Sequence, residues 1–255
     1  MRRFLFVLYG TLAYLLFVAV WAYFIGFLSG LVVPKSVDTG PATGPLEAVA
    51  WDVGLLAIFF AHHSVMARSG AKRVLTKALS PVLERSTYVL VASLALGLVF
   101  WLWRPLPKLV WQAPPPARLV VLAGFWLGVI VALVAANTLD GFELFGLRQV
   151  LVHFRGRAPK PTAFATPGLY RLVRHPLMTG ILLALWCAPT MSEGRLLLAT
   201  AMSAYIYLAV RFLEERDLRK TFGAAYATYQ REVPMLVPYK GRRRFRHEDQ
   251  RLDRE

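Results

Sequence analysis

From residue 4 to residue 33 the chain carries no charged side chain, and similar apolar runs recur at residues 46–66, 86–103, 119–139, 177–188 and 195–213. A helix of roughly 20 apolar residues crosses the hydrocarbon core of a bilayer. Backbone N–H and C=O groups have no water there, so the segments that cross must be helices or closed barrels. The runs are continuous rather than alternating, which excludes the barrel. The sequence therefore predicts an all-α, polytopic membrane bundle of about 5–6 transmembrane helices. Only 18% of the 255 residues are charged, against about a quarter in an ordinary soluble domain.

The formal charge of +15 does not point to nucleic acid. Lys and Arg concentrate on alternate loops, as in the positive-inside pattern, and anionic lipid headgroups supply the counter-charge. Arg2 and Arg3 precede the first run, which is too long for a cleaved signal peptide. Both termini are expected on the cytoplasmic side of the membrane. Residues 34–45 and the proline-rich residues 105–116 read as external loops, and residues 189–194 as a turn. The first four spans, residues 1–145, form one expected unit. The cytoplasmic loop, last helical hairpin and C-terminal cap, residues 146–255, form the other. Cys187 is the only cysteine, so no intramolecular disulfide forms.

The chemistry-bearing residues gather around that last hairpin. Tyr170, Arg171, Arg174 and His175 precede Pro176, a residue suited to a first helical turn, and Glu214 and Glu215 end the returning helix. Ordinary ion pairs at helical spacing would account for each group taken singly. Carboxylates near lipid are costly unless paired or wetted, so together they mark a polar pocket at the cytoplasmic surface. Such a pocket suits an adenosine and an amino-acid carboxylate. Elsewhere, His62 and His63 are adjacent and so point about 100° apart on a helix. They lack the i, i+4 spacing of a helical metal site, and no metal is expected. Asp140, Glu143 and Arg148 follow the fourth span. Asp52 and Glu47 lie at the other membrane face.

Leu169-Tyr170-x-x-Val173-Arg174-His175-Pro176-Leu177-x-x-Gly180, then Glu214-Glu215-x-x-Leu218, then Phe222-Gly223-x-x-Tyr226-x-x-Tyr229 and a Val-Pro, resemble the C-terminal half of the isoprenylcysteine carboxyl methyltransferase superfamily. Residues 33–40, 63–68, 84–90, 103–105 and 144–149 resemble the bacterial methanethiol S-methyltransferase family within it. The resemblance implies S-adenosyl-L-methionine as methyl donor and methanethiol as acceptor, giving dimethyl sulfide. Carried over by motif, it implies a cofactor pocket of Leu169, Tyr170, Arg174, His175, Pro176, Gly180, Glu214 and Glu215, closed by Tyr226 and Tyr229. Met178 departs from the aromatic residue common in the superfamily.

A thiol reacts chiefly as thiolate, which calls for a base or a cation. The expected activators are His63 first, Asp140 second, and Arg148 as an electrostatic helper. Three alternatives stand beside this reading: a larger lipid or prenylcysteine acceptor, a sterol-reductase-like enzyme using NADPH, and a non-catalytic protein of the NnrU type.

Overall fold

The computed structural model describes residues 1–138, 141–157 and 164–238. Asp140 lies outside the described residues. The expectation of an all-α membrane bundle holds: five helical stretches, Arg2–Ser29, Pro45–Met66, Pro81–Leu102, Pro115–Thr138 and Glu193–Glu232, are long and apolar enough to cross a membrane. The chain is a multi-pass membrane protein.

Helix α1 (Arg2–Ser29) ends where Gly30 takes φ +74° and its N–H bonds Gly26 O at 2.7 Å. A left-handed terminus of this kind is open to glycine at little steric cost. After α2 (Pro45–Met66), the short helix α3 (Ser69–Ala78) carries Lys72, Arg73 and Lys77 on one side and Val74 and Leu75 on the other. A 3-10 turn, Pro81–Leu83, leads into α4 (Glu84–Leu102). Helix α5 (Pro115–Thr138) is followed by α6 (Gly141–Leu144) and α7 (Leu147–Phe154). Helix α8 (Pro176–Trp186) is too short to cross alone. The last stretch comprises α9 (Glu193–Leu208), a π-helical turn (Ala209–Glu214) and α10 (Glu215–Glu232).

Helix α1 packs on α4 and α7, α4 on α2, α2 on α9, α9 on α8, and α8 closely on α5. The shared core is aromatic where α1 meets α4: the Phe27 and Phe100 rings lie 4.9 Å apart, and Trp103 stands edge-on to Phe27. Outward faces stay apolar. Leu5, Leu12 and Leu15 of α1 and Leu119, Leu127 and Ile130 of α5 are each more than half exposed, which in water would be an aggregation surface and in a bilayer is a lipid contact.

Residues 105–116 and 189–194 behave differently from the loop and turn expected. Strand β1 (Leu109–Gln112) pairs antiparallel with β2 (Thr190–Ser192), with a bulge between Leu109 and Trp111. Neither segment shows alternation strong enough to announce a strand, and each finds its backbone partners only in the other. The same end of the bundle holds Asp38, which accepts from Arg195 Nε at 2.7 Å, and buried Asp52, which accepts the Arg104 N–H at 2.9 Å. Glu47 pairs with Arg104 there. These acids therefore tie the end opposite His63 and His175, as their position in the sequence implies.

Candidate active site

His175 caps α8 with non-helical backbone angles, φ −126° and ψ 64°, and the proline after it, Pro176, occupies the first helical turn and is fully buried. The backbone entering α8 is gripped by the chain end: Arg174 N–H bonds Pro234 O at 2.9 Å and His175 N–H bonds Met235 O at 3.1 Å. Thr179 Oγ1 donates to Leu236 O at 2.7 Å. Residues after α10 thus fold back as a cap on the start of α8.

Arg174 fastens that cap from inside. Its Nε donates to Glu215 Oε1 at 2.7 Å with Nη2 paired to the same oxygen, and Nη1 donates to Gln230 O and Val233 O. Gln230 Nε2 donates to the other oxygen of Glu215 at 3.0 Å. The Arg174 and Glu215 side chains are 9% and 3% exposed, so the pair is excluded from water and held by hydrogen bonds on both partners.

Adjacent helical residues diverge by about 100°, yet Glu214 and Glu215 both reach His175. The π-helical turn makes this possible: Glu215 N–H bonds Val210 O, five residues back, and the widened turn is a feature that recurs at functional sites. His175 Nδ1 lies 3.6 Å from Glu214 Oε1, and Nε2 lies 3.4 Å from Glu215 Oε1. Both distances are long for hydrogen bonds. Among the described residues, His175 Nε2 and Tyr226 Oη are buried without a hydrogen-bond partner. Glu215 is buried with Arg174, while the Glu214 side chain is half exposed.

Burial by itself would push the His175 pKa down, but the two facing carboxylates outweigh it and raise it to about 9. A group whose pKa rises on folding stabilises the fold fully below its unfolded value and loses that contribution as pH climbs through the folded one. The apparent melting temperature in detergent is accordingly expected to fall between about pH 7 and pH 10. The contribution lost is on the order of 3 kcal/mol. His175→Gln should flatten the profile; an equally steep fall in that variant would remove His175 as its cause.

The tyrosines assist. Tyr229 Oη donates to Tyr170 O, and Tyr170 Oη donates to Ala135 O at 3.3 Å, linking the cap to α5. Burial raises the Tyr170 pKa further from neutrality, with the Glu214 charge adding to it, so the hydroxyl remains a donor. Tyr226 and Tyr229 pack with Val233, Phe164 and Phe222. Leu169 lies in the 3-10 turn Gly168–Arg171 beside them. Gly180 packs against the backbone of α5. A Cβ there would lie 2.5 Å from Ala132 N and 2.6 Å from Gly128 O. Its lack of a side chain is accounted for by the crossing of α8 on α5.

His63 is brought to the same end. Tyr88 Oη lies 3.0 Å from His63 Nε2, and the His63 ring sits against Phe59, Tyr88 and Tyr205. The Glu214 carboxylate is within electrostatic reach of His63, Tyr88, Tyr170 and Tyr205. Arg85 stacks 5.4 Å over the Tyr88 ring and donates to Leu144 O. Arg148 of α7, the helix that packs on α1, pairs with Glu143 of α6 at 3.6 Å. Sequence reasoning missed Tyr88, Tyr205, Arg85 and Gln230. Each is an ordinary interfacial residue in its own helix and acquires meaning only from the helix opposite.

A family profile described as NnrU protein matches residues 53–239. The chain is 48% identical over 231 residues to Methanethiol S-methyltransferase 2 of Bradyrhizobium diazoefficiens, covering 91% of this chain and 89% of the relative. It is 44% identical over 243 residues to Methanethiol S-methyltransferase of Mycobacterium tuberculosis, covering 95% and 99%. Nurim of Sus scrofa is 40% identical over 184 residues, covering 68% and 69%. No solved structure matches.

Proposed function

Because the chain belongs to the NnrU protein family, and shares 44% and 48% identity with two relatives named for methanethiol S-methylation, we propose that it is a membrane thiol methyltransferase. Its acceptor is methanethiol, its product dimethyl sulfide, and its donor S-adenosyl-L-methionine. The observation that carries the reading is the meeting of His175, Glu214 and Glu215 with the His63–Tyr88 pair at one end of the bundle. The positive-inside distribution supports placing that end, and both termini, on the cytoplasmic side of the bacterial inner membrane.

The residues suit the donor. His175 Nε2, 3.4 Å from Glu215 Oε1, and Tyr226 Oη are buried polar atoms without a hydrogen bond of good geometry, which a ligand's polar groups would supply. The half-exposed Glu214 carboxylate offers negative charge to a cationic ligand. Glu215, committed to Arg174 and Gln230, positions the helix end rather than offering free acceptors. When bound, the donor supplies an electrophilic methyl group on a positively charged sulfur. His63 takes the thiol proton, and Tyr88 Oη orients its ring. A thiolate held beside His63 would take the methyl as the methyl's bond to the donor sulfur breaks, so that two oppositely charged sulfur centres become neutral while His63 keeps the proton. The aromatic surroundings of His63 exclude water that would otherwise stabilise the charged reactants. Holding sulfur and methyl in line supplies much of the remaining acceleration.

Purified protein in detergent, given labelled donor and methanethiol, is expected to release labelled dimethyl sulfide into the headspace. Glu214→Gln should lower kcat/KM by roughly 100-fold, as loss of a preorganised electrostatic contact does. Folded protein that binds S-adenosylhomocysteine but forms no dimethyl sulfide would overturn the assignment. Binding of NADPH in its place would favour a membrane reductase.

A further inference from the structure

Tyr205 stands between the His63 ring and a recess on the lipid face. On α2, Phe60 and Ser64 are one turn apart and face α9, where Tyr205 meets both. The Phe60 and Tyr205 rings stack at 4.1 Å with planes 4° apart, and Tyr205 Oη lies 3.1 Å from Ser64 Oγ. On one side, the edge of the Tyr205 ring approaches the His63 ring, 6.3 Å between centroids, and beyond it lie Tyr88 and the Glu214 charge. On the other side a shallow, open recess of about 300 Å³ is lined by Phe60, Ala61, Leu208, Ala209 and Phe212 as well as Tyr205. Leu208 and Phe212 are more than half exposed on the lipid face, so the cavity is an apolar recess opening toward the bilayer. Its far wall includes Leu213, the residue before Glu214.

We infer that Tyr205, braced by Phe60 and Ser64, is the residue that limits acceptor size in the methyl transfer proposed above, on which this inference rests. Its ring is the wall between the recess and His63. A flat aromatic stack pinned by a hydroxyl contact at its rim has little freedom to yield to a longer alkyl chain. With the wall in place, an acceptor bound at His63 is held to a short chain, because a tail several carbons long needs the recess behind the ring. Removal of the ring opens the recess to His63 and gives the tail an apolar place to go. Each methylene accommodated in an apolar pocket changes specificity by about tenfold or more.

The test compares kcat/KM for methanethiol and for butane-1-thiol in the full-length protein reconstituted in lipid nanodiscs. Tyr205→Ala is expected to raise the butanethiol-to-methanethiol ratio by at least about tenfold. Tyr205→Phe, which keeps the ring but loses the contact with Ser64, should raise the ratio by less than Tyr205→Ala does. A general loss of stability would lower both substrates alike and leave the ratio unmoved. If Tyr205→Ala does not fold, Phe60→Ala, which unbraces the ring, should raise the ratio by a smaller factor. An unchanged ratio in a folded variant that binds S-adenosylhomocysteine overturns the inference while wild-type methanethiol turnover stands. Absence of transfer to either thiol by the wild type overturns the methyltransferase reading and this inference with it.

Discussion

Gly180→Ala is expected to destabilise the bundle by about 3 kcal/mol, the upper end of the usual overpacking penalty. The added methyl would lie 2.5 Å from Ala132 N and 2.6 Å from Gly128 O. Both atoms belong to the backbone of α5, so no rotamer change relieves the clash and the helices must part. A parted crossing then forfeits the close packing of α8 on α5 that small residues permit, which is the main source of helix association where lipid removes the hydrophobic driving force. Gly128→Ala should do the same, because its Cβ would lie 2.5 Å from Ala184 N and 2.7 Å from Gly180 O. The measurement is thermal unfolding in detergent, alongside S-adenosylhomocysteine affinity. Two variants equally destabilised, with affinity in the remaining folded fraction intact, are the expected result. A selective loss of affinity in Gly180→Ala with normal stability would mean that the glycine serves the ligand directly.

Glu215→Ala is expected to cost about 3–5 kcal/mol and to abolish donor binding. Removing one partner of a buried ion pair leaves the other charge uncompensated, which is far worse than lacking the pair altogether. Arg174 would keep only the carbonyls of Gln230 and Val233, and Gln230 Nε2 would lose its acceptor. The cap formed by residues after α10 is held to α8 through these same groups, so it should loosen first. Hydrogen exchange at Arg174 and His175, whose N–H groups bond Pro234 and Met235, reports that loosening. The double variant Arg174→Met with Glu215→Leu separates the structural effect from the functional one. Apolar residues of similar volume are expected to recover most of the stability, without restoring turnover, since one of the two carboxylates facing His175 is still gone. Full activity in the double variant would refute the placement of Glu215 in the site.

How far the site was legible in the sequence differs residue by residue. Arg174, His175, Glu214 and Glu215 stood out as polar groups at the ends of apolar runs, and the structure does bring them together. His63 was distinguishable from His62 only as one of two divergent neighbours. Its meeting with Tyr88 depends on how α2 packs on α4. Gly180 belonged to a motif that does not distinguish a glycine admitting a ligand from one admitting a helix. Tyr205 carries no motif at all; its contacts with Ser64, separated from it by 141 positions, arise from α2 lying beside α9.

The sequence alone determined the membrane-spanning helices, because the free energy of placing a segment in lipid sums over its own residues within a window of roughly 20. It also determined the two acids at the helix end and the arginine and histidine before the proline, since their cost near lipid is local too. Tertiary structure decided the rest: the β1–β2 pairing, the π-helical turn that lets adjacent glutamates address one imidazole, the glycine-lined crossing, and the aromatic wall at Tyr205. Each of these depends on a partner far along the chain, so its energy exists only once two helices or two loops have come into register.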